Sequence, residues 1–244
     1  MYNLLIALAA GTLGFVLGGI FGSWIQGIIP ALLVFPVVYV LLARRTGKKV
    51  EAIMRQAVAE LESGRSDNCR RIMEKALDLA PWQFLLQQQV KTQLGALEYM
   101  QRNFKAARPL LENSWARNWQ AMGMLAAIDL REGRSKDAVQ RLVKCHKHGK
   151  KDAVMWGLYA YACVQCGDVD EALAVTNKGL GVLDESRPLK ELKSALANQR
   201  VKRFKWGRVF GQSWLQFFPE QASMKHAQAM AGARKRKTYP MPRR

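Results

Sequence analysis

Acidic residues are scarce: 19 Asp and Glu stand against 38 Lys and Arg, leaving a formal charge of +19. A balance this basic points to an anionic partner, whether phospholipid headgroups, RNA or acidic protein. Cysteine is sparse as well. Four cysteines in 244 residues, with no paired framework, argue against a disulfide-stapled domain and fit a reducing compartment. Period-two alternation is almost missing, so no sheet is expected. No nucleophile with a matched base, glycine-rich phosphate loop or paired carboxylates in a plausible cleft can be found. The three histidines lie in lysine-rich or tail contexts. The chain is therefore not expected to be an enzyme, and no cofactor is expected. Most telling, no side chain from Met1 to Ala43 is charged.

That uncharged run is about twice the roughly 20 apolar residues needed for one membrane crossing. It breaks naturally at Gly22-Ser23-Trp24-Ile25-Gln26-Gly27, followed by Pro30. The expectation is a helical hairpin in residues 1–43, with spans at about 3–22 and 26–43; one long tilted or re-entrant helix is the alternative. A cleaved signal peptide is disfavoured, because the start lacks a basic region. Ala10, Gly14, Gly18 and Gly22 recur every fourth residue and offer a groove for close helix packing. The second span or a helix of another membrane protein could occupy it. Arg44, Arg45, Lys48 and Lys49 follow, and residues 44–48 read as a basic juxtamembrane linker. By the positive-inside rule this end, and the rest of the chain, would face the cytoplasm.

From residue 49 the apolar pattern turns helical and repeats. Trp156, Tyr159, Ala160 and Cys163 share one helix face, Gly167-Asp168 suits a turn, and Ala172, Val175 and Thr176 share the next face. A shift of 34 residues finds Met122, Leu125, Ala126, Asp129, Gly133, Ala138 and Leu142. A further 31 finds Lys91, Leu94, Gly95, Phe104, Ala107 and Leu111, and 38 more finds Ile53, Ala57, Gly64, Cys69, Met73, Ala76 and Pro81. These columns resemble the tetratricopeptide repeat, with GRSDNCRRIMEKALDLAP (64–81) and MWGLYAYA (155–162) as its best segments. The resemblance covers residues 49–184, about 55 per cent of the chain. Arg102 replaces one turn glycine, Pro109 falls inside a second helix, and the closing proline survives only at Pro81. An irregular helical bundle is the competing reading. Ser186-Arg187-Pro188 restarts a helix whose stripe is Leu189, Leu192 and Leu196, the polar-backed cap that a solenoid needs.

The fold expected is thus all-α: a transmembrane helical hairpin, then a solenoid of about four helix pairs with its capping helix (49–200), then a basic tail. In proteins with these repeats the first helices line a concave peptide-binding groove. The resemblance puts Gln89, Thr92, Tyr99, Gln120, Arg131, Tyr161 and Gln165 among the groove residues, with Ala96, Gly123, Ala127 and Gly157 leaving room. Cys163-Val-Gln-Cys166, with Cys145 upstream, could hold zinc, but these columns favour packing and no metal site is assigned.

Residues 201–219 read as a basic, aromatic amphipathic helix. Trp206, Phe210, Trp214 and Phe217 fall on one side of it, with Lys202, Arg203, Lys205 and Arg208 crowding its first half. That composition suits a membrane-surface anchor, although the aromatics could equally dock on the end of the solenoid. Residues 220–244 read as a basic disordered tail. From Arg200 to Arg244 there are twelve basic residues and one acidic, so +11 of the +19 is concentrated there. The tail suits anionic headgroups or an unspecific grip on nucleic acid. The expectation is a multi-pass protein of the bacterial inner membrane, resembling membrane-anchored tetratricopeptide-repeat proteins, that recruits or organises protein partners through its groove and possibly its hairpin. A membrane-tethered nucleic-acid or ribosome binder acting through the tail is the rival.

Overall fold

The structure, a computed structural model, describes residues 1–20, 24–115 and 117–220, with residues 24–26 described by their backbone alone. The chain divides into two units, Met1–Leu97 and Glu98–Arg244. Among the described residues there are helices and turns but no strand.

In the first unit, α1 (Tyr2–Ile20) and α2 (Trp24–Glu62) pack along their lengths. Both are long and apolar enough to cross a membrane, by length and composition. Their seam is built from small and polar side chains. Asn3, Ala7 and Gly11 are buried, and a Cβ on Gly11 would stand 3.1 Å from that of Phe35. Gly14 faces the Pro30 backbone, and Asn3 Nδ2 donates to Thr46 Oγ1 at 2.9 Å inside the contact. Ala10 and Gly18 are half-buried at the edge of this seam, and Gly22 lies outside the described residues.

The expected boundary at residue 43 does not exist as a break. α2 continues through Arg44–Lys48 and the whole first helix of the first repeat, 39 residues in all. Nothing between Ala43 and Glu62 interrupts a helix except Gly47, and a single glycine costs only about 1 kcal/mol. At 1.5 Å per residue α2 is about 58 Å long, well beyond a hydrocarbon core of about 30 Å. α3 (Ser66–Lys75) folds back on α2 through buried Cys69 and Met73, then tightens into a 3-10 turn, Ala76–Trp82, around Pro81. Trp82 meets Tyr2 edge-on with ring centroids 5.2 Å apart.

α4 (Leu86–Met100) runs across the division between the units. The second unit contains α5 (Phe104–Glu112), α6 (Trp119–Arg131), α7 (Ser135–Gly149), α8 (Ala153–Gln165), α9 (Val169–Leu180) and α10 (Arg187–Ala197). α6 packs on α7 and α8 on α9; α6 also touches α8, and α8 touches α10, which makes these three the inner layer. Leu125, Ile128, Leu142, Met155, Leu158, Leu189 and Leu192 form a fully buried core. α5 is short, and its Pro109 leaves that residue without an N–H donor.

One turn geometry recurs. Gly64, Arg102, Gly133 and Gly167 all have φ between 65° and 85°, and so does Gln199 at 54°, somewhat lower, after α10. In each turn the following N–H reaches back five residues: Arg65 to Glu60 O, Asn103 to Glu98 O, Arg134 to Asp129 O, Asp168 to Cys163 O and Arg200 to Ala195 O. This is the left-handed helix terminus described for glycine. Arg102 and Gln199 adopt it despite their side chains, so the helical-pair geometry prevails over residue preference. α10 therefore ends like the first helix of a fifth pair.

Asp129 anchors the outer layer. It is buried, and it accepts from Arg108 at 2.5 Å, Arg141 at 2.6 Å and Arg134 at 2.9 Å. Burial alone would raise its pKa, but the three guanidiniums outweigh that and hold the carboxyl below its ordinary value.

Candidate functional site

The inner layer of the second unit offers a concavity because two of its columns lack side-chain bulk. Gly123 on α6 and Gly157 on α8 leave the surface open between them. The chain fills that opening itself. After the Gln199 turn there is no second helix. Val201–Arg203 make a 3-10 turn, Phe204 is extended, and two one-turn helices follow, α11 (Trp206–Val209) and α12 (Gln212–Leu215). Gly211 joins them at φ 66°, ψ −145°, a conformation for which glycine is suited. Residues 204–220 thus form a strap, and the single amphipathic helix expected over 201–219 is not what forms.

The strap inserts a ladder of rings. Trp206, Phe210, Trp214 and Phe218 stack in succession at 5.0–6.2 Å, and Tyr161 on α8 meets Trp206, Trp214 and Phe218 edge-on at 5.0–5.5 Å. A Cβ on Gly157 would lie 2.7 Å from Phe210 Cε1, and one on Gly123 would lie 2.6 Å from Phe217 Cε1. The two glycines are therefore the sockets for two phenylalanines. Trp119 packs on Phe217 at 5.9 Å. Burying each large ring is worth about 1.5–3 kcal/mol. Against this, Trp214 Nε1 is buried with no hydrogen-bond partner among the described residues, which costs about 1–3 kcal/mol.

The far end of the strap is held by charge. Arg131, at the end of α6, donates to Phe217 O at 2.7 Å and to both oxygens of Glu220 at 2.9 and 2.8 Å. It also donates to Tyr99 Oη at 2.7 Å, and its guanidinium lies over the rings of Phe104 at 4.4 Å and Phe218 at 5.1 Å. Tyr99 Oη in turn donates to Phe217 O at 2.5 Å. Burial pushes the Tyr99 hydroxyl far above its ordinary range, although Arg131 opposes the shift, so it remains a donor. Tyr161 is likewise raised by burial.

Of the groove residues expected from sequence, Tyr99, Arg131 and Tyr161 meet on the strap, with Gly123 and Gly157 beneath it. Gln89, Gln120 and Gln165 are exposed, and Thr92 is buried, donating to Gln88 O at 2.7 Å. The expected membrane-surface set divides. Lys202, Arg203, Lys205 and Arg208 are exposed, whereas Phe210 and Trp214 are buried and Trp206 half-buried against the groove. In this conformation those rings face the solenoid and not a lipid surface. Cys69, Cys145 and Cys163 are buried in packing positions, and burial raises the Cys145 and Cys163 thiols to about 11 and about 12. No group of three or more potential metal ligands occurs among the described residues.

Sequence reasoning missed Trp119, Phe104, Phe218 and Glu220 as parts of the site. One signal was available. Glu220 is the one acidic residue after Glu191, an oddity that calls for a basic partner.

No protein-family model and no curated protein sequence matches the chain. Among solved structures it is similar to "Crystal structure of MamA protein", at 18% identity and a TM-score of 0.47, over 75% of this chain and 93% of that one. It is also similar to "MamA RS-1 ArsTM double mutant", at 12% identity and a TM-score of 0.51, over 72% and 96%. At these identities the likeness concerns the fold alone. The described residues form helices and turns, and the fold is of tetratricopeptide-like type.

Proposed function

We propose that this protein is a membrane-anchored adaptor whose second unit captures a segment of a protein partner in the groove now filled by its own strap. The observation that carries this reading is the chemistry of the occupant. An aromatic ladder seated over Gly123 and Gly157, with a carboxylate on Arg131, defines what the groove accepts. A partner segment with two or three aromatic side chains followed by Asp or Glu would fit the same sockets. The unpaired Trp214 Nε1 favours exchange, since an incoming segment need not bury an unmatched donor. α1 and the first half of α2, uncharged and apolar outward, supply the anchor, multi-pass in the bacterial inner membrane, with Arg44, Arg45, Lys48 and Lys49 on the cytoplasmic side. A tetratricopeptide-like fold suits protein–protein interaction in general.

The test is capture of partners by the full-length protein in mild detergent, with nuclease present. Phe210→Ala/Trp214→Ala should free the groove and increase capture of a discrete protein. Arg131→Ala/Tyr161→Ala should reduce it. Capture that ignores both variants, but disappears with nuclease or on deleting residues 221–244, would sink the groove reading in favour of nucleic-acid binding by the basic tail.

A further inference from the structure

The strap has a second face. Where the chain leaves α10, a single 3-10 turn and the extended Phe204 stand in place of a second helix, and a cleft of about 810 Å³ opens between α10 and the strap. Arg187 from α10, Arg200 from its terminal turn, Arg203 from the 3-10 turn, and Lys205 and Arg208 from the strap line it, with Glu191 as the only carboxylate among the described residues. Arg187 pairs with Glu191 at 2.8 Å. Among the described residues no carboxylate is paired with Arg200, Arg203, Lys205 or Arg208. Four cations around one concavity repel one another, and they project their field into a space large enough for a nucleotide-sized ligand. Phe204 and Val209 give the cleft an apolar floor.

We propose that this cleft is a binding site for a multiply phosphorylated anion. Guanidinium groups suit phosphate because their forked N–H donors match two phosphate oxygens at once. A single phosphate would engage one or two of these arginines. The spread of cations over both walls calls for at least two linked phosphate groups or phosphate esters. Such a ligand would bridge α10 and the strap. Lys205 and Arg208 flank Trp206, whose ring lies against Tyr161 in the groove, so an anion held on one face of the strap restrains the rings on the other. Binding in the cleft therefore stabilises the closed groove, whatever segment competes for it. This inference stands independently of which partner the groove captures.

The probe is inorganic pyrophosphate, titrated into the full-length protein in neutral detergent at about 0.15 M salt, where diffuse surface attraction is largely screened. A parallel arm replaces it with micelles doped with cardiolipin, whose headgroup links two phosphate esters through one glycerol, to separate a soluble phosphate from a lipid headgroup. Saturable binding in either arm, weakened about tenfold or more by Arg200→Gln/Arg203→Gln, is expected. Arg200→Lys/Arg203→Lys should restore part of it. The exposed pair Lys136→Gln/Lys144→Gln on α7, with the same change in net charge, should leave it unchanged. Bound ligand should also slow amide exchange across residues 206–218. Absence of saturation in both arms, or equal loss in the α7 control, would overturn the proposal.

Discussion

α1 and α8 are both uncharged helices, yet they bury opposite things. α8 hides Val154, Met155, Trp156, Leu158 and Tyr159. α1 hides only Asn3, Ala7 and Gly11, while Leu5, Leu13 and Leu17 stand 60%, 64% and 57% exposed. The difference lies in the partner each helix requires. In water the stable arrangement puts bulk inside, because apolar area leaves solvent. When the surroundings are themselves apolar, bulk can stay outside and helices meet through small residues and hydrogen bonds. The burial pattern of α1 matches the second rule, and this is the physical support for the proposed anchor.

The two regions also bury polarity differently: α6 buries a carboxylate shared by three guanidiniums, whereas α1 buries one neutral hydrogen bond. Asp129→Ala leaves Arg108, Arg134 and Arg141 without their shared carboxylate. It should destabilise the second unit by about 3–5 kcal/mol, read as lost amide protection across α6 and α7. Because the folded-state pKa of Asp129 is depressed, its contribution is fully present above the ordinary carboxylate pKa. It is lost as pH falls through the lowered value. A protection profile for α6 that is flat with pH below about 4 would contradict this.

Gly157→Leu should act next most strongly. The added side chain claims the socket of Phe210, costs about 1–3 kcal/mol in overpacking, and should shift strap tryptophan emission to the red while α8 stays folded. Arg102→Gly should move stability the other way, by about 1 kcal/mol, by relieving a left-handed residue; urea unfolding would show it. Smallest should be Asn3→Leu, which removes the buried hydrogen bond to Thr46. Hydrogen bonds between membrane helices average about 0.6 kcal/mol. A loss several times larger, measured as separation of α1 from α2 in micelles, would mean the hairpin depends on that bond more than on its small-residue seam.

Much of the helical order was legible because its causes are local. The turn residues Gly64, Gly133 and Gly167 mark left-handed helix ends, and the apolar columns around Leu125 and Leu158 mark buried faces. The junction at residues 44–48 was misread because a basic cluster looks like a linker. Helix continuity depends on whether any residue actually breaks it, and none does. Along α1 the glycine buried in the seam is Gly11, against Phe35, one position off the expected four-residue stripe of Ala10, Gly14 and Gly18, and the tightest approach is made from α2, where a Cβ on Gly27 would stand 2.6 Å from Phe15 O. The seam follows helix geometry and the bulk of Phe35 on the partner, which a stripe read on α1 alone does not contain.

The candidate site divides along the same line. Helical phase by itself brings Tyr99, Arg131 and Tyr161 to one face, together with the small residues Gly123 and Gly157, because 3.6-residue periodicity and the repeat spacing are properties of the chain. What occupies that face was a tertiary decision. Trp206, Phe210, Trp214 and Phe217 form the same stripe whether they meet lipid or a groove, since apolar burial is non-directional and rewards either. Only the folded chain offered the sockets at Gly123 and Gly157, the bend at Gly211 and the charge of Arg131 opposite Glu220. Shape and one ion pair chose among surroundings that hydrophobicity alone could not rank.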